Sequence, residues 1–188
     1  MNPRFKEVFD SLPTTGWLTL DEAELLWNFA SNMPGDILEI GTYCGRSAKI
    51  LANAIADHGY RRLYCCDPII EGFDGVVTPT REGMLTSIAQ HVLSSHTALQ
   101  VHLCCMTEKE LHKIWDKNHK LSMVYIDHDH SFEATLRAIH RWAPLSKKVA
   151  LHDYGGSHPG VGQAVREYGF RGERVIAGRV AIFQGTAQ

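Results

Sequence analysis

From Asp36 onward the chain alternates short apolar runs with stretches long enough for helices, and no other feature of the sequence constrains the fold as much. The runs are "DILEI", "RRLYCC", "LQVHLCC", "LSMVYI" and "KVALH". Each is continuously apolar, as strands covered on both faces are. Between them lie "SAKILANAIADHG", "REGMLTSIAQHVLSS", "EKELHKIWDKN" and "SFEATLRAIHRWAPL", each predicted as a helix. Such alternation predicts a parallel sheet with helices on both sides. After a last helix, "GVGQAVREYG", the runs "ERVIA" and "RVAIF" meet at Gly178, and a tight turn there makes them an antiparallel hairpin at one sheet edge. The expected fold is α/β: a Rossmann-like, doubly wound, seven-stranded mixed sheet with its last strand antiparallel.

Residues 1–35 read as an N-terminal helical segment ahead of a domain over 36–188. A short helical stretch covers Phe5 to Leu12. In "TLDEAELLWNFASNMPGD", Thr19 and Glu22 form a capping box, and Leu20, Ala23, Trp27, Ala30 and Met33 recur at helical spacing until Pro34-Gly35 stops the run. The formal net charge is −2, and no basic groove with interleaved aromatics is visible, so nucleic acid is not expected as a partner. No apolar run approaches the roughly 18 residues of a membrane span, and "MNPRFKEVFDSLP" lacks the apolar core of a signal peptide. A membrane partner is not expected either, and a cytoplasmic setting is. The five cysteines, Cys44 and two doublets at the ends of predicted strands, read as reduced, buried thiols and not as a disulfide framework. Homo-oligomerisation stays open.

Two clusters carry chemistry. In "ILEIGTYCGRSAKIL" a strand ends at Glu39-Ile40, a glycine loop follows, and a helix opens near Ser47. Gly41 permits a turn whose backbone approaches a ligand, Gly45 lets the helix start pack on the strand, and the helix N-terminus offers unpaired N–H groups. The loop lacks the G-x-G-x-x-G fingerprint, which disfavours NAD. Asp67 ends the second predicted strand, where a carboxylate either grips a ribose diol or starts the turn "DPII". The second cluster is "YIDHDHSFE" with "VALHDY". Asp127 and the pair His152-Asp153 end neighbouring strands, which brings them to one sheet edge beside the glycine loop. Asp129 or Ser131 caps the helix that follows, with Glu133 in its first turn.

The order "ILEIGTYCGRSAKIL", "LYCCDP", "VYIDHDHSFEATLRAIHRWAPL", "VALHDY" and "GVGQAVREY" resembles the class I S-adenosylmethionine-dependent methyltransferases. More narrowly it resembles the family that includes macrocin-type sugar O-methyltransferases and cephalosporin-hydroxylase-like proteins. The resemblance runs from about Asp36 to the C-terminus. It implies that Glu39, Gly41, Gly45 and Ser47 shape the methionine side of an S-adenosylmethionine pocket, with contacts from Thr42 and Tyr43. It further implies that Asp67 holds the ribose and that Met106 and Thr107 border the adenine, simple packing being the alternative for Met106. Asp127, which with Glu39 suits the sulfonium charge, and Asp153 would hold a divalent metal, joined by His152 where some relatives have an acidic residue. One imidazole in such a set moves the preference from Mg²⁺ toward transition metals. His130 occupies the position of a catalytic base. His128 replaces a usual glycine, so it must tolerate that backbone or point to solvent. "LSKKVAL" replaces a usual P-G-G turn. His58, His91, His96, His102, His112, His119 and His140 read as structural.

The expected activity is metal-assisted O-methylation of a small hydroxylated acceptor, a sugar or a phenolic natural product. The loop "PIIEGFDGVVTPTR", with Phe73, is either a lid or an ordinary surface loop, and "YGGSHPG", with His158, forms the other wall. The alternatives are a non-haem metal-dependent hydroxylase or hydrolase on the same fold, and a cofactor-binding protein without methyltransferase activity.

Overall fold

The computed structural model describes residues 1–56, 60–71, 79–93 and 100–186. In chain order the elements are α1 (Pro3–Asp10), α2 (Leu20–Asn32), β1 (Ile37–Ile40), α3 (Arg46–Ile55), β2 (Leu63–Cys66), α4 (Arg81–Ile88), β3 (Val101–Cys104), α5 (Glu108–Ile114), β4 (Leu121–Ile126), α6 (Phe132–Trp142), β5 (Ser146–Leu151), α7 (Pro159–Tyr168), β6 (Val175–Ala177) and β7 (Val180–Gln184). The seven strands form one sheet in the order β3-β2-β1-β4-β5-β7-β6. β1 to β5 are parallel, and β7 enters between β5 and β6, antiparallel to both. This is the expected Rossmann-like mixed sheet. The β6–β7 turn is tight because Gly178 takes φ +53, in the left-handed region.

Alternate strand residues feed two cores, one on each face of the sheet, as the two-residue strand period requires. Ile37, Leu63, Met123, Tyr125, Ala150 and Ile182 pack against α1 to α4, with Phe5, Leu26, Trp27 and Leu51. Leu38, Val124, Ile126, Val149, Leu151 and Phe183 pack against α5 to α7, with Ile139, Trp142 and Val165. Fully burying each such aliphatic or aromatic side chain contributes roughly 1.5–3 kcal/mol. The N-terminal helices thus share a core with the sheet.

Element boundaries differ from the expected ones where side chains claim backbone partners. Arg61, expected in strand 2, lies outside it: its guanidinium donates to Ala30 O and Gly35 O at 2.6 and 2.9 Å, bracing the end of α2. The helix after Thr80 changes from α to π geometry over Ala89–Leu93. Phe73 and residues 72–78 of the expected lid lie outside the described residues, as do His58 and His96. Among the described residues, no helix is long and apolar enough to cross a membrane.

Candidate active site

A cleft of about 1050 Å³ opens at the C-terminal ends of the parallel strands, bounded by the loops after β1, β2, β4 and β5. That edge is where open α/β sheets bind ligands. Its floor depends on Gly41. With φ +94, Gly41 passes so close to the β4 end that a Cβ would lie 1.8 Å from the Asp127 carbonyl oxygen. The register Ile40↔Ile126 sets this approach, and Asp127 N donates to Ile40 O at 2.8 Å.

Of the residues expected around a cofactor, Gly41, Thr42, Tyr43, Ser47, Asp67, Thr107 and Asp127 line the cleft. Glu39, Gly45 and Met106 do not. Glu39 is fully buried behind the loop, where Oε1 accepts from Ser47 Oγ at 2.6 Å, and burial pushes its carboxyl up to about 7. Gly45 is the N-cap of α3. Met106, partly buried, packs against the core on the α5–α7 face of the sheet. Asp67 joins two loops: Oδ2 accepts from Tyr43 N at 2.8 Å and Oδ1 from Ile69 N at 2.7 Å. Both of those residues have positive φ, as does Asp153, and among the described residues no other non-glycine does. Backbone strain of this kind concentrates at functional sites.

The second cluster converges. The register Ile126↔Leu151 sets Asp127 beside His152. His152 Nδ1 lies 3.4 Å from Asp127 Oδ1 and 3.1 Å from Asp153 Oδ2, and His130 Nε2 lies 3.6 and 3.2 Å from the same two oxygens. Imidazole and carboxylate therefore alternate around a closed ring. Tyr125 donates its hydroxyl to Asp127 Oδ2 at 3.2 Å. His158 stands at the rim, its ring 4.2 Å from that of His130 and its Nδ1 3.6 Å from Asp153 Oδ1. Asp129 and Ser131 are local supports: Asp129 Oδ1 accepts from Ser131 N, and Ser131 Oγ caps α6 by accepting from Ala134 N. His128 does not point away to solvent. It is half-buried in the cleft wall with an ordinary backbone, and burial lowers its pKa.

Residues 38–154 match a family model described as a methyltransferase domain. The chain belongs to this methyltransferase family. No curated protein matches the sequence. The methyltransferase is similar in fold to the O-methyltransferase NovP, with 17% identity, a TM-score of 0.65, and 90% of this chain and 81% of that one covered. It is also similar to CalS11, a TDP-rhamnose 3'-O-methyltransferase of calicheamicin biosynthesis, at 18% identity and TM-score 0.63, covering 96% and 91%. TomG from Streptomyces achromogenes, an O-methyltransferase solved in complex with S-adenosylmethionine, matches at 18% and 0.63 over 100% and 91%. Family and fold together make the chain an S-adenosylmethionine-dependent methyltransferase.

Three residues that the sequence reading did not place in the site belong to the walls of the methyltransferase cleft or to what lies behind them. Trp17, largely exposed, stacks on Tyr43 at 6.2 Å, because Arg46 donates to Pro13 O and Leu18 O and straps this segment across α3. Arg179 Nη1 donates to Asp153 Oδ1 at 2.9 Å. Glu22, from α2, is buried beneath His152. His119, among the histidines taken as structural, pairs with Asp36 at 2.8 Å, away from the cleft.

Burial alone would raise the Asp127 carboxyl, but hydrogen bonds and charge from His130 and His152 outweigh it and hold the group well below the usual carboxylate range. Asp153 is lowered likewise, chiefly through His152 against the opposing effect of burial. Burial disfavours a charged His152, yet Asp127 and Asp153 prevail and push its pKa up to about 10 from 6.5. A raised folded-state value means that this imidazolium stabilises the fold fully below pH 6.5 and that the contribution is lost as pH rises through about 10. The melting temperature of chelator-treated protein is therefore expected to fall from about pH 7 to about pH 10, and His152→Asn to flatten that slope. Equal slopes in thermal melts of the two proteins would contradict this assignment.

Proposed function

We propose that this methyltransferase transfers a methyl group to a hydroxyl oxygen of a small acceptor, a sugar or a phenol, with His130 as general base and a divalent metal at the Asp127–Asp153 pair. The observation that carries this reading is the closed ring of Asp127, His152, Asp153 and His130 on the wall of a cleft that also holds the glycine loop and Asp67. Cleft volume fits the reading: about 1050 Å³, just above the roughly 300–1,000 Å³ usual for ligand sites, accommodates a nucleoside cofactor together with an acceptor. Gly41, Thr42, Tyr43, Ser47, Asp67 and Thr107 would surround the cofactor, Asp67 offering its remaining lone pairs to the ribose. S-adenosylmethionine supplies an electrophilic methyl carbon, whose bond to sulfur breaks as the acceptor oxygen bonds to it.

The donor set fits a metal. Asp127, His152 and Asp153 offer ligand atoms that all lie within 4.8 Å of one another. The buried Nε2 of His152 faces the Glu22 carboxylate at 3.7 Å, the kind of outer partner that metal-ligating imidazoles have. A divalent ion held by Asp127, His152 and Asp153 would supply Lewis acidity that lowers the pKa of the acceptor hydroxyl. His130 takes the hydroxyl proton on Nε2, and Asp127 and Asp153 stabilise the imidazolium that results. Arg179 holds the outer oxygen of Asp153 and so turns Oδ2 toward the ring. Solved relatives support the acceptor class, since CalS11 is described as acting on a TDP-rhamnose. The five free cysteines of this chain suit a cytoplasmic enzyme.

The test is an assay with methyl-labelled S-adenosylmethionine and a panel of phenols and nucleotide sugars, with and without chelator. Label on an acceptor oxygen, lost on chelation and restored by a divalent ion, is expected. Label on nitrogen or sulfur overturns O-transfer, and an undiminished rate in chelator overturns the metal. A second reading, metal-dependent oxidation, has one observation in its favour: His130, Asp153 and His158 offer two imidazoles and a carboxylate within 4.8 Å. Consumption of S-adenosylmethionine separates the two.

A further inference from the structure

Glu22 does something here that its place in the sequence does not require. As the third residue of α2 it completes a capping box with Thr19, accepting from Thr19 N at 2.8 Å. The same motif starts α5, where Glu110 accepts from Thr107 N at 2.9 Å and stands in solvent. Glu22, in contrast, is 1% exposed. Taking a carboxylate out of water costs far more than a cap returns unless further partners compensate, so its burial calls for partners beyond Thr19.

Those partners lie at the site. Oε1 of Glu22 accepts from Arg179 N at 2.7 Å, with Arg179 Nε 3.7 Å away, and Oε2 faces His152 Nε2 at 3.7 Å. Space for the carboxylate comes from Gly178, where a Cβ would lie 2.5 Å from Glu22 Oε1. His152 Nε2 is buried, and among the described residues it has no hydrogen-bond partner. A separation of 3.7 Å is too long for a hydrogen bond, but it leaves an N–H on that nitrogen no better acceptor to turn toward. Without a metal, Nδ1 carries the proton that Asp127 and Asp153 hold, 3.4 and 3.1 Å away; a metal would displace that proton, and a proton kept on Nε2 then leaves the lone pair of Nδ1 as the ligand.

We infer that Glu22 is a positioning residue: from the N-terminal segment it keeps the Nε2 proton of His152 in place when a metal displaces the proton on Nδ1, and so completes the metal site from behind. This inference rests on the metal reading given under Proposed function. It makes the N-terminal segment, which the sequence presents as helices ahead of the domain, part of the metal centre. It also ties that segment to the β6–β7 turn, since one carboxylate serves both.

The experiment is a Co²⁺ titration of full-length wild type, Glu22→Gln and Thr19→Ala, followed by visible absorption and calorimetry, with S-adenosylhomocysteine binding as the check on folding. Glu22→Gln is expected to bind Co²⁺ at least about tenfold more weakly, the loss typical of an outer-partner substitution. Thr19→Ala weakens the same helix cap and is expected to keep Co²⁺ affinity within about twofold. Wild-type affinity in a folded Glu22→Gln overturns the inference, as does an equal loss in Thr19→Ala, which would reduce Glu22 to a cap. Wild type that takes up no Co²⁺ overturns the metal reading and this inference with it. Should Glu22→Gln fail to fold, ¹⁵N NMR of Zn²⁺-loaded wild type decides: a slowly exchanging proton on His152 Nε2 is expected, and a proton on Nδ1 instead overturns the inference.

Discussion

Replacing His130 with glutamine is expected to lower kcat by about 10²–10⁴-fold, the usual range for a positioned general base, while S-adenosylhomocysteine affinity stays within about twofold. The split follows from where the side chain sits. His130 is four residues past the end of β4, and its Nε2 is directed at Asp127 and Asp153. Glutamine keeps a polar group in that space but cannot take a proton at neutral pH. Steady-state kinetics across pH separate a base from a mere hydrogen-bond partner. Wild-type activity should rise with the ionisation of one group, and that limb should vanish in the variant. A kcat within about threefold of wild type would remove His130 from the chemistry.

Gly41→Ala is expected to cost the most stability, several kcal/mol (about 3 or more), and to abolish S-adenosylhomocysteine binding. Two effects act together. A φ of +94 is strained for any side chain, and the added Cβ would lie 1.8 Å from Asp127 O and 2.5 Å from Asp127 C. Both of those are backbone atoms of the loop carrying Asp127 and His130, so relief requires moving that loop off the β1 end. Urea denaturation measures the first effect and calorimetry the second. A variant with wild-type stability would mean that the β1 and β4 loops do not approach as described.

Much of this architecture is legible in the sequence because the strands are covered on both faces. Runs such as "LSMVYI" are apolar but for one serine, and β4 is buried at all six positions. Convergence of Asp127 with His152-Asp153 follows from the adjacency of consecutive parallel strands, and the pairing of β4 with β5 delivers it. Local signals also carried Ser131 as a cap and Gly178 as a turn. What the sequence hid is long-range. Glu22 and Arg179 meet across 157 positions, and no periodicity encodes that. Glu22 satisfies a capping box completely, so its second role leaves no local signature. Trp17 reaches the cleft only because Arg46 straps residues 13–18 over α3. Glu39 and Met106 show the opposite case: each lies next to the pocket in sequence, yet the side chain turns into the protein, Glu39 to Ser47 and Met106 to the core.

Titration calorimetry of S-adenosylhomocysteine into wild type and Asp67→Ala tests the central claim most directly. Asp67 lines the cleft and pins both neighbouring loops through Tyr43 N and Ile69 N, so its loss removes a ribose partner and loosens the loops around it. Saturable one-to-one binding to wild type, weakened by at least about tenfold in a folded Asp67→Ala, is the predicted result. No binding heat from wild type, or equal affinity in both proteins, would contradict it.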